Sequence, residues 1–424
     1  MPTAMLSCKN SDSSDRLREE DLTMRYACSS TFVALSVALL SSAASAQKQY
    51  DPGASDAEIK VGNLMPYSGP GSAYSVIGKV EAAYFEMINK NGGINGRKIN
   101  FISYDHAYSP PKAVEQVRKL VESDEVLLTF NILGTAHNAA VQKYLNGKKV
   151  PQLFVASGAE RWNDPAHFPW TMGWQPSYQA EGRIYGRYVA QTLSDVKIGI
   201  LWQNDDSGRD YVKGFVAGLG GKFEPTTRLS YEITDPTIDP QMSQLKASGA
   251  NVFFDVTSPK FAAQAIRKTG ELQWRPLHIL NNVSTSLAAV LKPAGLDNAK
   301  GVISTAYLKD PLDPAWSGDE GYQHWLAFMN EYMPGTDKAD SNTVYGYSVA
   351  QTLAEVLKMC GDDLTRENVM KKAASLKDLK LDMLLPGITI NTSPTDFAPI
   401  KQEQLIRFDG EKWERFGPDA ENMR

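Results

Sequence analysis

Cysteine is scarce in this chain: three among 424 residues, at positions 8, 28 and 360. Cys8 and Cys28 fall in a segment read below as a removable leader, which leaves Cys360 alone and no internal disulfide to form. Stability then has to come from a buried core. Cys360 ends an apolar helical stretch, 349–360 (VAQTLAEVLKMC), and reads as a packed small hydrophobe rather than a reactive thiol. Histidine is nearly as sparse, at 106, 137, 167, 278 and 324, with no two at the helical spacing of metal ligands, so no metal is expected. The G-x-x-x-x-G-K-[ST] phosphate loop, the G-x-S-x-G elbow and the H-E-x-x-H helix are all missing. No long run of Lys or Arg occurs, and the net charge is −5 with a pI near 5.7. Nucleic acid and anionic membranes are therefore poor partners, since neither is drawn to such a surface.

Long apolar runs are missing too, apart from 32–40 (FVALSVALL), which is of signal-peptide length and too short to span a bilayer. Ala44-Ser45-Ala46 follow it and suit cleavage after Ala46. Ahead of it, 11–21 (SDSSDRLREED) is polar and acidic, whereas Met24-Arg25-Tyr26 opens a leader of ordinary form. The expectation is a signal peptide at 24–46, an untranslated 1–23, and an exported soluble product. Cys28 precedes the apolar run, the wrong side for a lipid anchor.

Past a polar stretch, 47–57, short apolar runs alternate with amphipathic ones. The pattern predicts strands at 59–64, 99–104, 126–132 and 152–155, with helices at 80–88, 111–121 and 136–145. A second series follows the Pro- and Trp-rich stretch 167–176. It has helices at 178–193, 211–219, 241–247 and 261–269, and strands at 197–202, 228–233, 252–256, 277–280 and 302–306. Helices at 343–359 and 366–376 and a β-rich tail at 388–390 and 404–408 complete the chain. Strict β–α alternation implies parallel sheets with helices on both faces, and two series imply two sheets. The fold class is α/β, two doubly wound lobes with no linker between them.

Small polar residues recur where strands of the first series end: Tyr67-Ser68-Gly69, Gly134-Thr135 and Ser157-Gly158-Ala159. Open parallel sheets bind ligands at the carboxyl ends of their strands. There small side chains expose backbone N–H groups, and helix N-termini add partial positive charge. Together these loops describe a carboxylate cradle without a fixed cation. Trp162, Trp170 and Trp174 cluster before the second series; core packing is the ordinary reading, and a tryptophan near a cleft would stack on a ligand. The stretch 69–74 (GPGSAY) approaches a dinucleotide fingerprint but has Tyr74 where the third Gly belongs, and Pro70 lacks a needed N–H. No cofactor is expected.

At Ser68-Gly69-Pro70, at Asn89 with Gly92-Gly93-Ile94-Asn95-Gly96-Arg97, at Tyr104-Asp105 and at Val150-Pro151, the chain resembles a known family. That family is the branched-chain amino-acid and amide group of ABC-transporter substrate-binding proteins, and the resemblance runs over roughly 57–420. It implies a type I periplasmic binding fold with a three-segment hinge that closes on its ligand. Lobe I would be 57–175 and 304–398, and lobe II 176–303 and 399–424. It further implies a monomer in the periplasm, an ABC permease in the inner membrane as partner, and no enzyme activity. Carried over by position, it places ligand contacts at Tyr74, at Gly134-Thr135 and at Ser157-Gly158-Ala159, where Glu160 replaces a hydroxyl residue. In the second lobe it points to Asp205, Asp206 and Ser207 and to the loop of Asn281 and Asn282, where the family's acidic anchor is missing. Tyr67 and Trp174 complete the candidate set.

A buried ammonium without an anionic partner costs several kcal/mol. The missing acid therefore favours a carboxylate without an amine, aromatic or short aliphatic, with Asn281 or Asn282 offering neutral hydrogen bonds. Asp205 or Asp206 in the anchor's role would restore an amino acid or amide as ligand. Two further alternatives are a ligand sensor on the same fold and a secreted NAD-type oxidoreductase.

Overall fold

Val252–Val256, Gln152–Val155 and Leu128–Phe130 are buried at every position. That is the signature of strands covered on both faces. The computed structural model describes residues 48–417 and 421–422, so the expected leader, its cleavage site and the start at Met24 lie outside the described residues.

In the first half, β1 (Glu58–Met65), β2 (Lys98–Asp105), β3 (Leu128–Phe130), β4 (Gln152–Val155) and β5 (Thr171–Gly173) form one sheet. Its order is β2-β1-β3-β4-β5, parallel throughout, with α1 (Ser75–Lys90), α2 (Pro110–Glu122) and α3 (Thr135–Gly147) as connections. The second half begins with α4 (Tyr178–Thr192) and repeats the theme. Its parallel strands are β6 (Ile198–Gln203), β7 (Pro225–Tyr231), β8 (Val252–Val256), β9 (Leu277–Leu280) and β10 (Ile303–Ala306), joined through α5 (Asp206–Gly218), α6 (Asp239–Ala247) and α7 (Pro259–Glu271). Then α8 (Glu320–Tyr332), α9 (Ser341–Cys360) and α10 (Arg366–Ala373) return to the first half, where Val344 to Leu357 share one apolar core with Val61, Phe85 and Phe130. Finally β11 (Gln402–Phe408) and β12 (Trp413–Arg415) join the second sheet antiparallel, giving the order β12-β11-β10-β9-β8-β6-β7, with Glu421–Asn422 pairing β11.

The chain thus passes between sheets three times. The expected crossing between 303 and 304 is corrected: it would cut β10, whose Ile303, Ser304, Thr305 and Ala306 all pair with β11 in the second sheet. The return to the first half follows Ala306. Among the elements labelled here, β5, α8 and β12 escaped the periodicity, while 388–390 is no strand and makes only an isolated bridge from Ile390 to Leu379.

Two local features explain much of the packing. Asn89 brackets Ile99, accepting from its N–H at 2.7 Å and donating to its carbonyl at 2.8 Å, so the turn after α1 delivers β2 in register. Arg97 closes that turn, almost fully buried, on Asp362 (2.6 Å), the Tyr50 hydroxyl (2.6 Å) and the Ser55 carbonyl (3.0 Å). The block that carried the family resemblance therefore works as scaffold. In the second half, α4 and α5 meet through glycines four apart on each: a Cβ on Gly182 or Gly186 would lie 2.5 or 2.2 Å from the carbonyl of Tyr211 or Phe215. A Cβ on Gly214 or Gly218 would lie 2.1 or 2.4 Å from the carbonyl of Gln179 or Arg183. Backbone touches backbone there, and the side chains beside the crossing come within bonding reach.

Candidate functional site

Between the carboxyl ends of the two sheets lies a cavity of ≈150 Å³. An apolar cavity of about that size holds a benzene ring. Tyr74, Tyr108, Gly134, Thr135 and Tyr345 wall it from the first half; Gln203, Ser207, Tyr211, Asn281 and Asn282 wall it from the second; Ala306 and Tyr307 lie where the chain recrosses. Six of the residues singled out from the sequence meet here: Tyr74, Gly134, Thr135, Ser207, Asn281 and Asn282.

Gly134 has φ +103, a conformation that L side chains rarely adopt, and no side chain caps the helix α3 that starts behind it. The first N–H groups of a helix have no acceptor within it, and the helix dipole adds positive potential there. The hydroxyl of Thr135, first residue of α3, lies 2.7 Å from that of Ser157. Ser157 Oγ also accepts from Trp162 Nε1 (2.9 Å) and Ala159 N (3.2 Å), so its single proton goes to Thr135 and the Thr135 proton is left for the cavity. Beneath, His106 and His137 stack with centroids 4.5 Å apart. Burial first, and then the neighbouring ring, hold His106 down at about 3, and burial also lowers His137. Both are neutral at ordinary pH.

On the second wall Asp205 caps α5, accepting from Gly208 N at 3.0 Å and from the Ser207 hydroxyl. Glu181, almost fully buried in the first turn of α4, accepts from Tyr185 Oη (2.8 Å), Tyr211 Oη (2.8 Å) and Asn282 N (2.7 Å). Burial pushes its carboxyl up to about 7, against the pull of those three bonds. Two cations also line the cavity, Lys309 and Arg415, 5.5 and 4.7 Å from the Trp316 ring. Lys309 is spent on Asp319 and the Asp382 carbonyl.

Such a site can orient and enclose a small polar molecule. Among the described residues no group of three or more His, Cys, Asp or Glu is placed to hold a metal, and no helix is long and apolar enough to cross a membrane.

The sequence pattern of the periplasmic binding protein family matches residues 58–411. The chain belongs to that family. A Leu/Ile/Val-binding protein homologue of Brucella abortus is 24% identical over 353 residues, 79% of this chain and 90% of that one. A branched-chain amino-acid ABC transporter structure from Thermus thermophilus with bound valine superposes with a TM-score of 0.77 at 13% identity, over 86% of this chain and 96% of that one. A solute-binding protein of an ABC transporter from Rhodopseudomonas palustris, in complex with 3,4-dihydroxybenzoic acid, gives 0.72 at 18%, over 87% and 98%. The α/β type I periplasmic binding fold and the resemblance to the branched-chain amino-acid type of substrate-binding protein are both borne out.

The remaining candidates lie behind the wall or away from it. Ser157 sits one layer back, holding Thr135. The Gly158 carbonyl accepts Tyr178 N at 2.7 Å, and a Cβ there would meet the Tyr178 ring at 2.6 Å, so Gly158 and Ala159 serve the wall indirectly. Asp205 likewise acts through Ser207. Three placements are corrected. Tyr67 is turned from the cavity to the Ser103 hydroxyl at 2.6 Å. Trp174 is core: fully buried, its Nε1 on Thr352 Oγ1 at 3.0 Å, its ring edge-on to Tyr345. Asp206 faces solvent and pairs with Arg209 at 2.7 Å and Arg161 at 3.6 Å. The residues missed, Tyr108, Tyr178, Tyr211, Tyr345 and Glu181, come from helices and post-strand turns where neither glycines nor hydroxyl clusters mark a loop.

Proposed function

We propose that this chain is the periplasmic solute-binding component of an ABC importer and that it holds one small carboxylate-bearing molecule, aromatic or short aliphatic, in the interlobe cavity. The chain would act as a monomer and hand its ligand to an inner-membrane permease. The observation that carries the ligand reading is the uncapped start of α3 at Gly134 and Thr135, a backbone anion site opening on a tyrosine-walled cavity of ≈150 Å³. The volume suits one ring or one short branched chain. The similar Rhodopseudomonas palustris protein, solved with a dihydroxybenzoic acid, is consistent with such a ligand.

A second reading, an amino acid, has its own support. Glu181 lies directly behind Tyr211 and Asn282, an acid that the loop of Asn281 lacks. Relatives named as Leu/Ile/Val-binding homologues point the same way.

Calorimetric titration of ligand-stripped protein against benzoate-type acids, short aliphatic acids and amino acids separates the two. Micromolar binding of an unaminated acid is the expected outcome. Leucine binding at that affinity, with no response to any benzoate, would overturn the first reading in favour of the second.

A further inference from the structure

Hydrogen-bond roles around the cavity are not balanced. On the first wall the unspent groups are donors: the N–H groups at the start of α3, the Thr135 hydroxyl proton left over by Ser157, and the Tyr345 proton, since Tyr345 Oη accepts from Asn131 Nδ2 at 3.1 Å. On the second wall the two hydroxyl donors nearest the acids, those of Tyr211 and Ser207, are already committed. Tyr211 gives its proton to Glu181 Oε2 at 2.8 Å. Ser207 gives its proton to Asp205, and Gln203 Nε2 also bonds Asp205. The Asn282 amide N–H₂ bonds the Thr305 carbonyl, and Asn281 Oδ1 is buried with no donor. Two acids that do not line the cavity, Glu181 and Asp205, thus leave the Tyr211 and Ser207 oxygens facing it as acceptors.

A buried acceptor left without a donor costs its full desolvation, whereas a filled one returns a modest gain. We infer that the ligand carries, besides its carboxylate, an N–H or O–H donor, an amine or a hydroxyl facing the second wall, and that Glu181 is the positioning residue that selects for it by holding the Tyr211 proton. This rests on the carboxylate reading and narrows it: a plain alkanoate or benzoate is the wrong polarity for one wall, while a hydroxylated or aminated acid fits both. Glu181 Oε1 already takes two donors, Tyr185 Oη and Asn282 N. In Glu181→Gln the amide oxygen therefore belongs at that corner and the NH₂ faces Tyr211, which must then turn its own proton into the cavity. The substitution swaps Tyr211 from acceptor to donor with almost no change in shape.

The test is a matched-pair titration of the ligand-stripped protein at about pH 8.5, above the value of about 7 to which burial raises Glu181 so that its carboxylate accepts: 4-hydroxybenzoate against benzoate and 4-methoxybenzoate, and leucine against 4-methylpentanoate. The expected result is a preference of about tenfold or more for the donor-bearing member of whichever series binds. In Glu181→Gln that preference should shrink or invert toward the methoxy or deaminated partner, whose own affinity does not fall. Tyr211→Phe, which keeps the ring but removes the acceptor, should also erase the preference and covers the case in which Glu181→Gln misfolds. Equal affinities within both pairs, or a Glu181→Gln loss shared equally by both members, overturns this inference and leaves the carboxylate reading standing. Failure of every acid in both series to bind overturns the carboxylate reading and this inference with it.

Discussion

Glu181 has an environment that ties stability to pH. Its carboxyl is raised from 4.5 to about 7, chiefly by burial, and Glu403, buried nearby, is raised as well. Between those values the folded chain keeps a proton that the unfolded chain releases, so stability falls as pH rises through the window and the contribution is intact below it. Glu181→Gln has no such proton to lose. Its melting temperature should fall less than that of the unaltered protein between about pH 5 and about pH 8. Parallel melting curves across that range would show that Glu181 is not the titrating group. At this scale the sequence was half legible. Gly134, Thr135 and Asn281 stand out because strand ends in parallel sheets advertise ligand loops by small and polar residues. An acid in a helix's first turn looks like an ordinary partner for the dipole, and nothing local marks Glu181 as buried.

Helix α4 owes its position to glycines that a search for turns passes over. Gly182 and Gly186, with Gly214 and Gly218 on α5, are read correctly only as contact points, where a missing Cβ lets two backbones touch. That contact brings Glu181 to Tyr211. A methyl at Gly214 would lie 2.1 Å from the Gln179 carbonyl. Gly214→Ala should therefore separate the helices, costing about 1–3 kcal/mol of stability by denaturant unfolding, and should weaken ligand binding through displacement of Tyr211. An unchanged unfolding midpoint would contradict the close-packed crossing. The strands were the most legible elements, because fully buried runs such as Val252–Val256 leave little choice of register. The start of α5 was not: Asp205, Asp206, Ser207 and Gly208 have no apolar periodicity, and the helix begins there because the Asp205 carboxylate caps it. Helix α8 hid for a related reason, carrying its buried Trp325, Phe328 and Met329 among polar neighbours.

Across the whole molecule, polar contacts join one half to the other beside the cavity. Ser286 Oγ donates to Asp340 Oδ1 at 2.8 Å, the Ala288 N–H reaches the Ala339 carbonyl at 3.3 Å, and Lys292 pairs with Asp337 at 3.1 Å. On the opposite flank Glu160 N donates to Asp210 at 3.0 Å. Each is worth little alone, as the proposed hinge closure requires, since open and closed forms would need to differ by only a few kcal/mol. Ser286→Ala should remove about 1 kcal/mol from the closed form and so weaken ligand binding about fivefold, with a small effect on the melting temperature of the ligand-free protein. Unchanged affinity would take this contact out of the closing motion. Two sheets were evident from two β–α series; the antiparallel addition of β11 and β12 was not, because those strands come from the far end of the chain and periodicity carries no information about partners.

An acid group resting on the start of α3 needs the backbone that Gly134 provides. A Cβ at that position would lie 2.2 Å from His137 Nδ1 on a backbone at φ +103, so Gly134→Ala has to move the first turn of α3. Calorimetric titration of stripped wild-type and Gly134→Ala protein with the tightest-binding acid, both confirmed folded by circular dichroism, should give one site in the wild type and at least about tenfold weaker binding in the variant. Equal affinity in the two would mean that no acid group rests on the start of α3.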